Sequence, residues 1–208
     1  MGINDLLKHL PGGGSSDYRH SFYDLNMEGE VVPLDAASAL WQFAANHAWD
    51  HLHGNHNPAL SEWAHFLVYL RSICRWKLVV FMDGMENEHK QPEIERRKKR
   101  AEEARASNNL MGQIKNSPEY IAQATAVCKY LDIEVHTSAY EADPQVSYVA
   151  LLQSLVPVTG DSDLLAYGVP EKLIIVKGFK HEWFQIIDLT AVIEEGTYPL
   201  YDLYNEHG

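Results

Sequence analysis

The sequence predicts a single α/β domain, a three-layer sandwich with helices on both faces of a mainly parallel central sheet. Two observations predict it. The apolar runs Leu78-Val-Val-Phe-Met82 and Leu173-Ile-Ile-Val176 have the composition of strands buried on both faces. Between such runs lie longer segments with helical apolar spacing, and strands that alternate with helices build parallel sheets. With 208 residues, 46% of them hydrophobic, the chain is long enough for one sizeable core.

Taken in order, residues 1–10 have helical apolar spacing and end at Pro11-Gly-Gly-Gly14, which lacks the Gly-Lys-Ser/Thr of a phosphate loop. The first strand expected is Val31-Val-Pro-Leu34, running into Asp35. A helix rich in Trp and Ala follows, then a second from Ser61 to Arg75 with apolar Trp63, Phe66, Leu67 and Leu70. The strand at 78–82 stops at Asp83-Gly84. From His89 to Ala106 charge dominates, with Lys90, Arg96, Arg97, Lys98, Lys99, Arg100 and Arg105 against Glu93, Glu95, Glu102 and Glu103. Ser117-Pro118-Glu119 reads as the N-cap, first-turn proline and first-turn acid of a helix to Leu131. Further strands are expected at 133–137, 156–159, 172–177 and 184–188.

The formal net charge of −12 runs against a nucleic-acid partner, because phosphate backbones are held by Lys and Arg. Six of the 29 acids, however, belong to one proposed site, and setting them aside halves the excess. A phosphate grip would then be concentrated in one patch or supplied by a protein partner. No stretch reaches the roughly 20 apolar residues of a membrane span, and no signal-peptide pattern opens the chain. The expectation is an intracellular protein that does not engage membranes, nuclear if the source is eukaryotic. Cys74 and Cys128 stand far apart in apolar helical patterns and read as buried thiols.

The acids carry the functional signal. Asp35, Asp83, the Glu141/Asp143 pair and the Asp161/Asp163 pair each fall just beyond an expected strand or at the start of a helix soon after one. Ligands of open parallel sheets bind outside the carboxyl ends of the strands, so six carboxylates would converge on one crevice. Such a cluster repels itself unless cations neutralise it, and hard oxygen ligands select Mg²⁺ or Mn²⁺. Two ions roughly 3.5–4 Å apart suit in-line hydrolysis of a phosphodiester. Each acid alone has a plainer explanation, since Asp at a strand end often caps the next helix.

Met1-Gly-Ile3, Phe81-Met-Asp-Gly84, Tyr140-Glu-Ala-Asp-Pro-Gln145 and Thr159-Gly-Asp-Ser-Asp-Leu-Leu-Ala-Tyr-Gly168 occur in the order of the signature blocks of the XPG/flap endonuclease superfamily. The sequence resembles that family, closest to its 5′ exonuclease branch, over most of its length. The resemblance implies a PIN-like nuclease fold and structure-specific 5′ cleavage of nucleic acid, DNA ahead of RNA. It implies one Mg²⁺ surrounded by Asp35, Asp83, Glu141 and Asp143, and a second held by Asp161 and Asp163, with Mn²⁺ as a substitute. It also implies that Lys90 and Arg97, at the foot of a helical arch, contact the scissile phosphate and stabilise developing charge. In its terms, 1–100 is an N-terminal nuclease region, 101–117 a shortened arch or linker, 118–177 an internal nuclease region and 178–208 an acidic tail.

The chain departs from the family pattern in three places. Gly160 stands where the family usually has a Glu, which removes a group that would support the metal ligands. The interval between Asp83 and Glu141 is short for an arch. The duplex-binding helix-two-turn-helix has no counterpart, so the expectation is a trimmed or reduced relative that takes its duplex grip from a partner. The rival reading is a non-catalytic scaffold that keeps the fold and binds RNA or protein. A phosphatase or a nuclease of very short substrates is a third.

Other residues are set aside. His47, His51, His53 and His56 are closely spaced, but no Cys or acid completes a zinc set, and a polar helix end and loop is preferred. Trp41, Trp49, Trp63 and Trp76 lie in apolar helical patterns and are expected in the core. Tyr23, in the N-terminal loop, has the chemistry to stack on a terminal base.

Overall fold

The β-branched and aromatic run Lys77–Met82 and the run Val31–Asp35 form neighbouring parallel strands, β3 and β2, at the middle of the sheet. The structure, a computed structural model, describes residues 18–19, 21–85, 91–179 and 183–188. The expected helix over 1–10 and the Met1-Gly-Ile3 block lie outside them. The remaining strands are β1 (Tyr18–Arg19), β4 (Glu134–Thr137), β5 (Val158–Thr159), β6 (Lys172–Gly178) and β7 (Trp183–Asp188).

The sheet order is β1-β7-β6-β5-β2-β3-β4. The pairs β5/β6, β5/β2, β2/β3 and β3/β4 are parallel, and only the β6/β7 and β7/β1 pairs are antiparallel. The mainly parallel α/β sandwich expected from the sequence is the fold observed. From β2 the chain winds outward to β3 and β4, then returns to place β5 on the opposite side of β2. The winding reverses between β2 and β5, which makes that gap the topological switch point of the sheet.

One face of the sheet is covered by α1 (Ala37–Asn46), α2 (Ala48–Leu52), α3 (Asn57–Ser72) and α5 (Pro118–Tyr130). Their apolar faces bury Phe43, Trp63, Leu67, Leu70 and Tyr120 against Val32, Leu34, Val80 and Met82. Each such side chain contributes about 1.5–3 kcal/mol on removal from water. The polar tips are satisfied: Trp63 Nε1–H donates to the Ala124 carbonyl at 3.3 Å and the Tyr120 hydroxyl to the Leu40 carbonyl at 3.2 Å. On the other face α6 (Asp143–Gln153) and α7 (Leu164–Tyr167) bury Val146, Leu164 and Leu165 against Phe81, Leu173, Ile175 and Ile187. The charge-rich segment forms α4 (Gln91–Ala106), whose surface is largely exposed.

The Ser117 hydroxyl accepts the Tyr120 N–H at 3.2 Å and Pro118 opens α5, as its sequence predicts. Helix α3 starts four residues before the expected Ser61 because Pro58 occupies its first turn. Strand β5 is shorter than the run 156–159 and meets β2 only at Leu34 opposite Val158. Trp63 and Trp76 are core residues, whereas Trp41 and Trp49 are 40% and 64% exposed, contrary to expectation. Trp41 stays at the surface because its indole N–H reaches the Ile114 carbonyl, and Trp49 instead packs on the His53 ring, tilted 34° to it with centroids 4.1 Å apart. Cys74 and Cys128 are buried thiols. Among the described residues no helix is long and apolar enough to cross a membrane.

Candidate active site

Side chains alternate along a strand, and this decides which residues face α6 and α7. In β2, Val32 and Leu34 enter the core under α1 and α3, which turns Asp35 to the opposite face at the carboxyl end of the strand. Asp83 follows the last residue of β3, Glu141 and Asp143 follow β4, and Asp161 and Asp163 follow β5. All six acids therefore lie along the carboxyl edge of four adjacent parallel strands, at the switch point.

Asp35 is the buried member, 2% exposed. Its Oδ1 accepts the Ala37 N–H at 3.0 Å and its Oδ2 accepts the Thr159 hydroxyl at 2.7 Å. Burial nevertheless pushes its carboxyl up to about 6, with Asp83 and Asp161 adding repulsion against those two hydrogen bonds. Asp143, in the first turn of α6, is pushed up to about 8 by burial and by the charges of Asp35, Asp161, Asp83 and Glu141. Five of the six acids thus form one electrostatic group.

Hydrogen bonds fix the frame of that group. Asp83 Oδ1 accepts the Ala142 N–H at 2.9 Å, one of the donors at the start of α6 that no carbonyl of the helix reaches. Thr159 Oγ1 accepts the Asp161 N–H at 3.0 Å while donating to Asp35, so a single hydroxyl ties the ends of β5 and β2 together. Asp161 Oδ1 accepts the Asp163 N–H at 3.1 Å. The plainer role, capping a turn or helix start, is thus filled by Asp35, Asp83 and Asp161 at the same time as they cluster.

Glycine is required where the chain passes close behind the acids. A Cβ on Gly84 would lie 1.9 Å from the Ser138 carbonyl oxygen, and Gly84 N–H donates to the Tyr140 carbonyl at 2.5 Å. These contacts bring the segment after β3 against the loop that carries Glu141. A Cβ on Gly160 would lie 2.4 Å from Ser38 Cβ and 3.2 Å from the Phe179 ring.

The donor set fits a divalent cation in one respect and stops short in another. Asp143 Oδ1 is buried with no hydrogen-bond partner, a position that a cation relieves. Among the described residues no three His, Cys, Asp or Glu side chains are already gathered to hold an ion.

Solved structures superpose on the chain, among them the following three. Flap endonuclease-1 from Methanococcus jannaschii does so with a TM-score of 0.60 at 18% identity, over 86% of this chain and 62% of that one. The catalytic core of Rad2 in complex with DNA substrate gives 0.64 at 17% identity, over 93% of this chain and 56% of the other. The Holliday junction-resolving enzyme GEN1, in complex with product DNA and Mg²⁺, gives 0.59 at 16% identity, over 93% and 41%. The chain has the PIN-like fold of these nucleases.

No protein-family model matches the sequence, and no curated protein matches it either. The chain spans between 52% and 62% of the first three solved structures with this flap-endonuclease fold. Within the fold, the structure couples Asp35, Asp83, Glu141, Asp143 and Asp161, and it links Asp163 to them through the Asp161 carboxylate. Arg97 lies on the exposed surface of α4, and Lys90 lies outside the described residues. Sequence reasoning missed Thr159, although a hydroxyl two residues before Asp161 was its signal. It also missed Lys177, near the end of β6, whose charge faces Asp161 and whose ammonium pKa is lowered by burial.

The histidines are elsewhere. His51 and His56 are buried with ring centroids 4.6 Å apart, beside Tyr120. His53 packs on Trp49, and His47 Nε2 lies 3.3 Å from Glu62. They pack the junction of α2, α3 and α5.

Proposed function

We propose that the chain hydrolyses phosphodiester bonds in nucleic acid, DNA ahead of RNA, with two Mg²⁺ ions held by Asp35, Asp83, Glu141, Asp143, Asp161 and Asp163. The observation that carries this reading is the unpartnered, buried Asp143 Oδ1 among four further carboxylates at the switch point of a parallel sheet. A binding module has no evident use for an unneutralised acid cluster, whereas a cation-dependent hydrolase needs one. The DNA-bound Rad2 core and the DNA- and Mg²⁺-bound GEN1 structure support the choice of substrate and ion.

Bound Mg²⁺ supplies Lewis-acid polarisation of the phosphate and acidifies a water for attack. The protein's part is to hold the anionic ligands ready. Thr159 orients Asp35 and the backbone at Asp161, and the Ala142 N–H ahead of α6 orients Asp83. The positive end of α6 favours the ionised form of the acids beside it. Arg97 and Lys90, at the positions where the family resemblance implies phosphate-contacting cations, stabilise charge that develops on the phosphate oxygens. Structure-specific 5′ cleavage, endonucleolytic and exonucleolytic, is the corresponding reading of the substrate, with a protein partner supplying the duplex grip.

A specific observation favours the rival, a nuclease-fold scaffold that binds RNA or protein without cutting. The oxygens of Asp35, Asp83 and Asp161 already accept protein donors, and no three acids are gathered around a point among the described residues. The deciding experiment is cleavage of 5′-labelled single-stranded, duplex and flapped DNA, with RNA counterparts, in Mg²⁺, Mn²⁺ and EDTA. Metal-dependent cutting that disappears in Asp161→Ala supports the nuclease, and product lengths give its polarity. Absence of cutting on every substrate supports the scaffold.

A further inference from the structure

Strand β6 lies beside β5 in parallel register, with Val158 opposite Ile174 and Thr159 opposite Ile175. Two residues further along each chain stand Asp161 and Lys177. On β6, Leu173 and Ile175 enter the core under α6 and α7, while Ile174 and Val176 enter the opposite core. Past Val176 the pairing with β7 slips, leaving Lys177 as the unpaired residue of a bulge before Gly178, where it comes within reach of the Asp161 charge. It extends the row of acids at the carboxyl edge by one strand and adds a cation to it.

Lys177 is exposed as a residue, yet burial of part of its side chain works against its charge while Asp161 favours it. Lys172, at the other end of the same strand, lies 3.8 Å from Asp188 Oδ2. Lys177 has no such ion pair among the described residues. A partly buried lysine stem whose ammonium has no ion pair presents three donors and a point charge to an incoming anion. Beside a carboxylate row on a chain of net charge −12, a backbone phosphate next to the reacting one meets repulsion unless a cation stands there.

We propose that Lys177 is a nucleic-acid contact, gripping a backbone phosphate adjacent to the scissile one on the β6 side of the acid row. The inference rests on the phosphodiesterase reading above. It places the bound strand across the carboxyl edge from β3 toward β6.

The test is equilibrium binding of a fluorescein-labelled flapped DNA duplex to the full chain, in Ca²⁺ and in EDTA, over a series of salt concentrations. Wild type is compared with Lys177→Gln and Lys177→Arg, with Mn²⁺ affinity and melting temperature measured alongside. The expected result for Lys177→Gln is about threefold to tenfold weaker binding at low salt. The slope of log affinity against log salt should shrink by about one phosphate's worth, 0.7–0.9, with Mn²⁺ affinity unchanged. Lys177→Arg should keep both the affinity and the slope. An unchanged slope and affinity in Lys177→Gln, while wild type binds DNA, overturns the assignment and leaves the nuclease reading intact. Loss of affinity with the slope intact and Mn²⁺ binding weakened also overturns it, because Lys177 then acts only by holding Asp161. If wild type binds DNA under neither condition, both readings fall together.

Discussion

The hydroxyl of Thr159 donates to Asp35 Oδ2 at 2.7 Å across 124 residues of sequence, and the same oxygen accepts the Asp161 N–H at 3.0 Å. One hydroxyl thereby ties together the first and the fifth of the six clustered acids. Replacing it with a methyl group of the same shape leaves a fully buried carboxylate oxygen without a donor. Thr159→Val should lower stability by about 1–3 kcal/mol in urea titrations. It should also weaken Mn²⁺ binding, and Thr159→Ser should restore both. A Thr159→Val protein with wild-type stability would mean that the bond contributes nothing.

The acids make the metal-free chain sensitive to alkali. Asp35 is pushed up to about 6 and Asp143 up to about 8, against about 3.9 for an unfolded carboxylate. Between about pH 4 and pH 8 the folded state then binds more protons than the unfolded state, and its stability falls as pH rises through that window. Melting temperature in EDTA should decline across that range, and Mg²⁺ should reverse most of the decline. A melting temperature that rises with pH in EDTA would contradict the clustering.

Neutralising one acid should separate stability from activity. Asp143→Asn keeps the size of the side chain and removes its repulsion toward Asp35, Asp83, Glu141 and Asp161. Its melting temperature in EDTA should rise by about 2–4 °C, the equivalent of about 1 kcal/mol for a domain of this size. Stabilisation by Mg²⁺ and any cleavage should both be lost. Calorimetry with and without Mg²⁺ measures the first effect, and the labelled-substrate assay measures the second.

The Glu that the flap-endonuclease pattern places at position 160 has no room here. A Cβ at that position meets Ser38 Cβ at 2.4 Å and the Phe179 ring at 3.2 Å. Gly160→Ala should cost about 1–3 kcal/mol through overpacking. The double variant with Ser38→Gly should recover most of it, a coupling that a double-mutant cycle reads directly. Additive losses would show that the two positions are independent.

Much of this arrangement is legible without coordinates, for identifiable reasons. Asp83 is readable because the apolar run before it ends abruptly, and Asp161 because a short apolar strand and a Gly precede it. Their convergence follows from the rule that parallel strands present their carboxyl ends together. Thr159 was not readable as a tether, since a hydroxyl at a strand end gives no sign of the partner it meets across the sheet. Lys177 was hidden because register between β5 and β6 is a tertiary property, and a lysine closing an apolar run reads as a solvent-exposed end. Trp49 was misplaced because helical apolar spacing does not tell which face of a short helix such as α2 finds a neighbour. Gly160 was readable as a departure from pattern, but only packing reveals that Ser38 has taken the space.

The strand order also governs how the molecule comes into being. Strand β2 emerges early, and its inner neighbour β5 is specified more than a hundred residues later, so one edge of an apolar central strand has no partner through most of synthesis. Such long-range pairing folds slowly and leaves an edge open to wrong partners. The acids share that schedule: Asp35 and Asp161 come together only when β5 docks. Partly made chains that lack β5 therefore carry an incomplete set of the proposed ligands, and the proposed chemistry is confined to molecules that have finished folding.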